Sequence, residues 1–283
     1  MVQLAINLDG GIGNLLFQYS AALALQNRFG YEVSFIEVTP GLNNRLETYI
    51  GKNEFATSEC PSNAKRPSRS KQRLITDRPL SRLAHKAIVN RLTTKWTPEF
   101  SRCEAPFTKR VRYVKGYFQH PSWFTESKDL VLKKLDSNLK VLENRAPENL
   151  TSIHLRRSDY VRLGWDLPLS YYEKAIAFDE KIKRGPVAIF SDDRIVSKLF
   201  EERLLAAGIN VHQRESMDHQ SALNDFVTIS NSSRIVMSNS TFSWWAASLA
   251  RYSDPLVKIY CPSTWLPTAG SEILIDPSWI QIS

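Results

Sequence analysis

The chain has 283 residues, 42% of them hydrophobic and 23% charged, which is ordinary globular composition and enough for one large domain or two of about 140 residues. No apolar run reaches the roughly 18 residues needed to cross a bilayer, and no 20–50-residue repeat is visible, so a spanning helix and a solenoid are excluded. The net charge of +8 is uneven: Lys65 to Lys115 holds 15 Lys/Arg against three acids (Asp77, Glu99, Glu104), a surplus of 15 − 3 = 12 that leaves 8 − 12 = −4 elsewhere. Such a segment suits a phosphorylated substrate, an anionic membrane surface or nucleic acid, or is a solvated face beside an anionic site. Its few aromatics and the lack of a nucleic-acid module argue against nucleic acid as a partner. Cys60, Cys103 and Cys261 are odd in number and far apart, matching neither a disulfide framework nor a zinc site. The opening MVQLAINLDGG reads as a strand and not as a secretory leader. A cytoplasmic protein is expected, with the basic segment a candidate for peripheral docking on an inner membrane.

In chain order, VQLAINL (2–8) predicts a strand, DGGIG (9–13) a turn, and NLLFQYSAALALQNRF (14–29) a strongly apolar helix closed by Gly30. YEVSFIEV (31–38) is the next strand, completing a βαβ unit with a glycine-rich first turn. Residues 40–110 are polar, basic and weakly patterned, with a helix expected near 80–92; strand character returns at 110–118 and a helix at 127–144. After the polar RAPENL (145–150) a second series follows. Its expected strands are 151–155, 186–191, 209–213, 234–238 and 256–260, with helices at 169–182, 193–208, 221–233 and 241–250. This alternation predicts an α/β fold with parallel sheets, divided into domains 1–147 and 148–283.

Three segments just after strands carry the candidate chemistry. In Asp9-Gly10-Gly11-Ile12-Gly13-Asn14, glycines let a ligand approach the backbone. The same turn partly matches a dinucleotide fingerprint, with Glu37 ending the second strand, but G-x-G-x-x-G needs glycine where Leu16 stands. In His154-Leu155-Arg156-Arg157-Ser158-Asp159-Tyr160, consecutive arginines after an apolar strand are costly to place unless something anionic meets them. That partner is a phosphate, held by charge-assisted bonds, or an internal carboxylate such as Asp159. In Ser238-Asn239-Ser240-Thr241-Phe242-Ser243-Trp244-Trp245, small hydroxyl residues at a helix start either cap it or cradle a diphosphate. The tryptophans either pack the helix onto the sheet or stack on a base or sugar. Asp192 and Asp193, after another strand, suit guanine N1 and N2 donors, a divalent metal or a helix start.

GGIGNLLFQYSAALAL resembles the glycine-rich opening of glycosyltransferase family 11, the α-1,2-fucosyltransferases. HLRRSDY resembles that family's H-x-R-R-x-D-Y motif, shared more loosely with α-1,6- and protein O-fucosyltransferases, and SNSTFSWWAA resembles its SNS-[ST]-FSWWGA segment. The matches run in family order from residue 10 to about 250. The resemblance implies two facing Rossmann-like domains of GT-B type with a cleft between them, the first on the acceptor side and the second binding GDP-L-fucose. It implies that Arg156 holds the β-phosphate, that Arg157 and Asp159 support it, and that Arg156 and Asp159 are the catalytic pair. His154 and Asp192 or Asp193 would contact guanosine, and Asn239, Ser240, Thr241 and Ser243 would surround the diphosphate. Gly11, Gly13 and Asn14 would meet the donor from the first domain.

The implied reaction inverts β-linked fucose on GDP to an α-link on the 2-hydroxyl of a galactose, in bacterial surface polysaccharide (O-antigen) synthesis. The acceptor would be a galactose-terminated glycan, with a lipid-linked form as one candidate. No metal or other cofactor is expected, because cationic side chains and a helix start would stabilise the departing GDP. Asp159 and Asp166 are the candidate bases. The chain departs from the family at Leu15, where glutamine is usual, and at Leu163-Gly164-Trp165-Asp166, where a His-Gly pair is common. A non-catalytic glycan- or nucleotide-binding protein of the same fold is the alternative.

Overall fold

A computed structural model describes residues 3–59, 94–107, 111–142, 147–212 and 221–283. The helix expected near 80–92 and the basic residues from Lys65 to Arg91 lie outside the described residues. Two five-stranded sheets organise the rest. The first contains β1 (Gln3–Leu8), β2 (Glu32–Glu37), β3 (Ala56–Glu59), β4 (Thr94–Trp96) and β5 (Tyr113–Lys115) in the order β3-β2-β1-β5-β4, every pairing parallel. The second contains β6 (Thr151–Leu155), β7 (Val187–Ser191), β8 (Arg234–Val236), β9 (Lys258–Pro262) and β10 (Ile280–Ile282) in the order β10-β9-β8-β6-β7, again parallel throughout. The expected α/β class with parallel sheets is what the chain forms.

The apolar strands explain the arrangement. A parallel sheet is covered on both faces, so its strands read as unbroken apolar runs rather than alternating ones. TSIHL of β6 is buried at every position, and only Gln3 of β1 is exposed. Helices supply the cover, except α4, which buries no residue: α1 (Ile12–Phe29), α2 (Leu42–Ile50), α3 (Pro121–Leu139), α4 (Ser158–Leu163), α5 (Leu169–Phe178), α6 (Glu180–Arg184), α7 (Arg194–Ala206), α8 (Ser221–Ser230) and α9 (Thr241–Ser253). Ile153, Tyr172, Ile189, Phe200 and Tyr260 belong to one buried cluster of the second sheet. Among the described residues no helix is long and apolar enough to cross a membrane.

The chain separates into two compact units, Met1–Thr48 with Lys52–Lys128, and Tyr49–Gly51 with Asp129–Ser283. The division between Lys128 and Asp129 falls within α3, upstream of the polar stretch that suggested a boundary at 147/148. Each sheet reverses its strand order beside its earliest strand. In the first, β2 and β3 lie on one side of β1 and β5 and β4 on the other, with β4 at the edge; in the second, β7 and β8 flank β6. Open α/β sheets take ligands outside the carboxyl ends of their strands at such reversals.

Several expected elements differ in extent. The strand expected at 209–213 is reduced to an isolated bridge between Val187 and Val211. The helix expected at 169–182 is broken into α5 and α6 because Asp179 leaves helical geometry, with φ −120° and ψ 104°. Its carboxylate accepts from the Lys181 N–H at 2.9 Å, the Tyr260 hydroxyl at 2.5 Å and Arg234 Nε at 3.3 Å, with Lys258 Nζ at 3.8 Å. Burial pushes this carboxyl up, but the Tyr260 hydroxyl, the Lys181 N–H and the two cations outweigh it and hold it below the usual carboxylate range. A depressed folded-state pKa contributes stability above the unfolded value, and that stability is lost as pH falls through the folded one. Asp179→Asn is therefore expected to cost about 2 kcal/mol at pH 7, the worth of a charge-assisted bond. The difference from wild type should shrink below about pH 4, where unfolded aspartates protonate. Denaturation at pH 7 and at pH 2 checks it; a pH-independent difference would contradict the assignment.

Candidate active site

The reversal of the second sheet gathers the sequence's second and third candidate segments. His154, near the end of β6, and Ser238, just beyond β8, meet across it with Nδ1 and Oγ 2.8 Å apart. Both are buried, and the imidazole lies 5.3 Å from the Phe242 ring at an interplanar angle of 34°. The strand end thus delivers His154 to the carboxyl edge, as its position in TSIHL requires.

The two arginines after β6 have different surroundings. Arg156 is held by two carboxylates: one terminal nitrogen donates to Asp159 Oδ1 at 2.5 Å and the other to Asp192 Oδ2 at 2.6 Å. The Tyr160 ring lies beneath it, 5.3 Å from Cζ to the centroid, a cation–π contact. A guanidinium has five N–H donors, so these two bonds leave three for a ligand, and a third of the side chain is open to solvent. Arg157 is more enclosed. It donates to Asp166 Oδ2 at 2.5 Å, its Nε approaches Asp193 Oδ2 at 3.9 Å, and its backbone N–H donates to Asp192 Oδ1 at 2.8 Å. Arg157 therefore braces the loop, while Arg156 faces outward.

Both oxygens of Asp192 are engaged by this loop, and Asp193 Oδ1 caps α7 by accepting from the Ile195 and Val196 N–H groups at 3.1 Å each. Asp193 thus takes the helix-start role open to this pair, and Asp192 binds both arginines of the loop. Among the described residues no group of three or more His, Cys, Asp or Glu is placed to hold a metal ion. Two arginines against Asp159, Asp166, Asp192 and Asp193 sum to 2 − 4 = −2. The cluster has no positive surplus, so an anion here would rely on the outer donors of Arg156 and on the start of α9.

The loop into α9 is mostly turned inward. Ser240 caps the helix by accepting from the Phe242 N–H at 3.3 Å, and Ser243 donates to the carbonyls of Ser238 and Ser240, 3.1 Å from each. Ser238, Asn239, Ser240 and Ser243 are all buried, whereas Thr241 and Phe242 are partly open. The hydroxyls thus shape the loop, and the first turn of α9 presents the positive end of a helix, with the Phe242 N–H taken by Ser240. Trp244 and Trp245 are buried, and Trp244 Nε1 donates to the Leu274 carbonyl at 2.7 Å, so both pack the helix.

In the first unit, the glycine-rich loop after β1 lies at the other reversal. Gly10 has φ +89°, and a Cβ there would come within 2.7 Å of Asn14 Nδ2, so glycine is required. Gly11 caps α1 without a side-chain bond, Gly13 is buried in the first turn, and Asn14 Oδ1 accepts from Gln119 Nε2 at 3.2 Å. Glu37 accepts from the Gly41 and Asn43 N–H groups and starts α2, so it is occupied with a role other than a ribose contact. Gln18 holds this loop: its amide bonds the Asp9 N–H, the Asp9 carbonyl and the Gly116 carbonyl at 3.1–3.2 Å. Leu15, at the family's glutamine position, is fully buried.

Fold and clusters together define a doubly wound α/β protein with polar and charged groups gathered where such folds take their ligands. The model of Glycosyl transferase family 11 matches residues 3–264. The chain belongs to glycosyltransferase family 11, and it is a glycosyltransferase. The O-antigen biosynthesis glycosyltransferase WbnK of Escherichia coli is 25% identical to it over 304 aligned residues, covering 97% of this chain and 99% of the relative. An α-1,2-colitosyltransferase of Escherichia coli is 26% identical over 183 residues, covering 59% of this chain and 61% of that protein. Among solved structures, the fucosyltransferase NodZ from Bradyrhizobium is similar with a TM-score of 0.49 and 14% identity, over 87% of this chain and 92% of that one.

Gln18 and Gln119 take part in these clusters from outside the candidate segments. Gln18 has a readable signal: an amide inside the apolar run of α1 must find backbone partners when buried. Gln119 has none, since its partner is brought to it only by the strand order.

Proposed function

We propose that the chain is an inverting fucosyltransferase that moves L-fucose from GDP-L-fucose to the 2-hydroxyl of a galactose residue in a bacterial surface polysaccharide. The observation that carries this reading is the Arg156 guanidinium, oriented by two carboxylates and an aromatic ring beside the start of α9, with donors to spare. Family membership, the α-1,2 linkage named for one relative and the O-antigen role named for another support the linkage and the pathway class. In this reading the two units are the Rossmann-like halves of a GT-B enzyme, the second taking the donor and the first the acceptor.

The step breaks the bond between fucose C1 and the β-phosphate oxygen, which leaves with the electron pair. The galactose 2-oxygen attacks C1 from the opposite face, inverting β to α, through an oxocarbenium-like transition state. Arg156 and the first turn of α9 stabilise the charge growing on GDP. Asp159 receives the acceptor's proton; each candidate is bonded by one arginine at 2.5 Å, but the Asp159 carboxylate is 44% exposed against 24% for Asp166. With the charge handled by protein groups, the reaction requires no divalent metal.

The test is transfer from labelled GDP-fucose to a panel of galactose-terminated disaccharides in EDTA, with the product linkage read by NMR. An α-1,2-fucosylated product at a rate unchanged by chelation is expected. Activity abolished by EDTA and restored by Mg²⁺ or Mn²⁺ would instead favour the metal reading of Asp192 and Asp193. GDP-colitose belongs in the donor panel because one relative is a colitosyltransferase; transfer from it alone would replace fucose as the donor sugar.

A further inference from the structure

The least self-sufficient element at the site is α4. It has six residues and none is buried, and isolated helices shorter than about 12 residues are marginal in water. Packing therefore does not hold it, yet it carries Asp159 and Tyr160, which orient Arg156. What fixes it is the segment that follows. Gly164, at φ +67°, turns the chain out of the helix, and Trp165 N–H donates back to the Tyr160 carbonyl at 2.9 Å. The Trp165 carbonyl accepts from Asn239 Nδ2 at 2.7 Å, and the Tyr160 hydroxyl approaches the Asn239 carbonyl at 3.4 Å. The Trp165 ring stands edge-on to Tyr160, 5.7 Å between centroids at 87°. Asn239 is 2% exposed, and its amide orientation is unambiguous, because the flipped form would set two carbonyl oxygens against each other. Its Oδ1 is buried with no hydrogen-bond partner, so the side chain is held by the Trp165 bond.

We propose that Asn239 is a positioning residue: through the Trp165 carbonyl it latches the exposed helix α4 to the loop before α9 and so fixes Tyr160 and Asp159 around Arg156. The latch joins a segment where this chain departs from its family, Leu163–Asp166, to one where it conforms. It rests on the reading of Arg156 as the ligand of the donor phosphate, and it deepens that reading by naming what sets the guanidinium's direction. Asn239 then touches no substrate, in contrast to the donor contact expected from its place in the motif.

Asn239→Ala is expected to lower kcat on the order of 10-fold, since misplacing a stabilising group by a fraction of its bond length is costly, with KM for GDP-fucose rising less than about 3-fold. In the Arg156→Ala background the same change should cost less than about 2-fold, because residues acting through one another are not additive. Asn239→Asp keeps the size and Oδ1 but faces the Trp165 carbonyl with a carboxylate, so it should lose at least as much as Asn239→Ala. Equal losses from Asn239→Ala in both backgrounds, or a wild-type rate for Asn239→Asp, would overturn the latch. So would loss of a cooperative melt in both variants, which would assign Asn239 to folding. A wild-type rate in Arg156→Ala alone sinks the donor reading itself, so the two failures are distinguishable.

Discussion

Arg156→Ala lowers kcat on the order of 10²–10³-fold and leaves the fold in place: this is the expected result for a preorganised donor aimed at charge that develops in the transition state. The magnitude follows from the surroundings of the guanidinium. Asp159 and Asp192 hold it at 2.5 and 2.6 Å, and Tyr160 supports its face, so little reorganisation is required when the leaving group gains charge. Stability should change little, because the ion pairs are partly solvent-exposed and such pairs contribute about 0–1 kcal/mol. Turnover with GDP-fucose, set beside a thermal melt, checks both halves of the prediction. Near-wild-type turnover would remove Arg156 from the mechanism, and a collapsed melt would make it structural.

Trp245→Ala has the opposite profile. The side chain is fully buried, its ring centroid 5.1 Å from that of Trp244 at 76°. It sits in a stretch of α9 that is buried from Ser243 through Ala250. Truncating such a residue costs about 3–5 kcal/mol, a large share of the roughly 5–15 kcal/mol by which folded proteins are stable. At about 2–4 °C per kcal/mol for a domain of this size, the melting temperature should fall by about 10 °C. A variant that melts like wild type but no longer binds nucleotide would show that the ring stacks on a ligand instead.

Much of this architecture was legible because it follows from local rules. The apolar runs of β1 and β6 announced strands, the long apolar run of 14–29 announced α1, and Gly30 closes that helix at φ 65° as its position suggested. Arg156 and Arg157 read as anion partners for a physical reason that stands in the structure, where carboxylates surround both. What local rules missed was decided at a distance. Asp179 interrupts a helix-forming run because Tyr260, Arg234 and Lys258, all remote in sequence, converge on its carboxylate. Asp193 read equally as a guanine contact, a metal ligand or a helix start, and which N–H groups reach it, those of α7, is set by the fold. The hydroxyls of Ser240 and Ser243 read as a cap or a phosphate cradle; Ser240 caps α9 and Ser243 bonds its own loop. Spacing places residues after a strand; the packing of the strand's neighbours decides which of them face outward.

If Arg156 holds the β-phosphate of a guanosine diphosphate, as proposed, calorimetric titration of GDP and GMP into the wild-type chain and Arg156→Ala will show it. Wild type should bind GDP saturably and GMP at least about 10-fold more weakly, a difference of about 1.4 kcal/mol or more. In Arg156→Ala the two nucleotides should bind alike. A variant that still prefers GDP over GMP by the wild-type factor would contradict the claim.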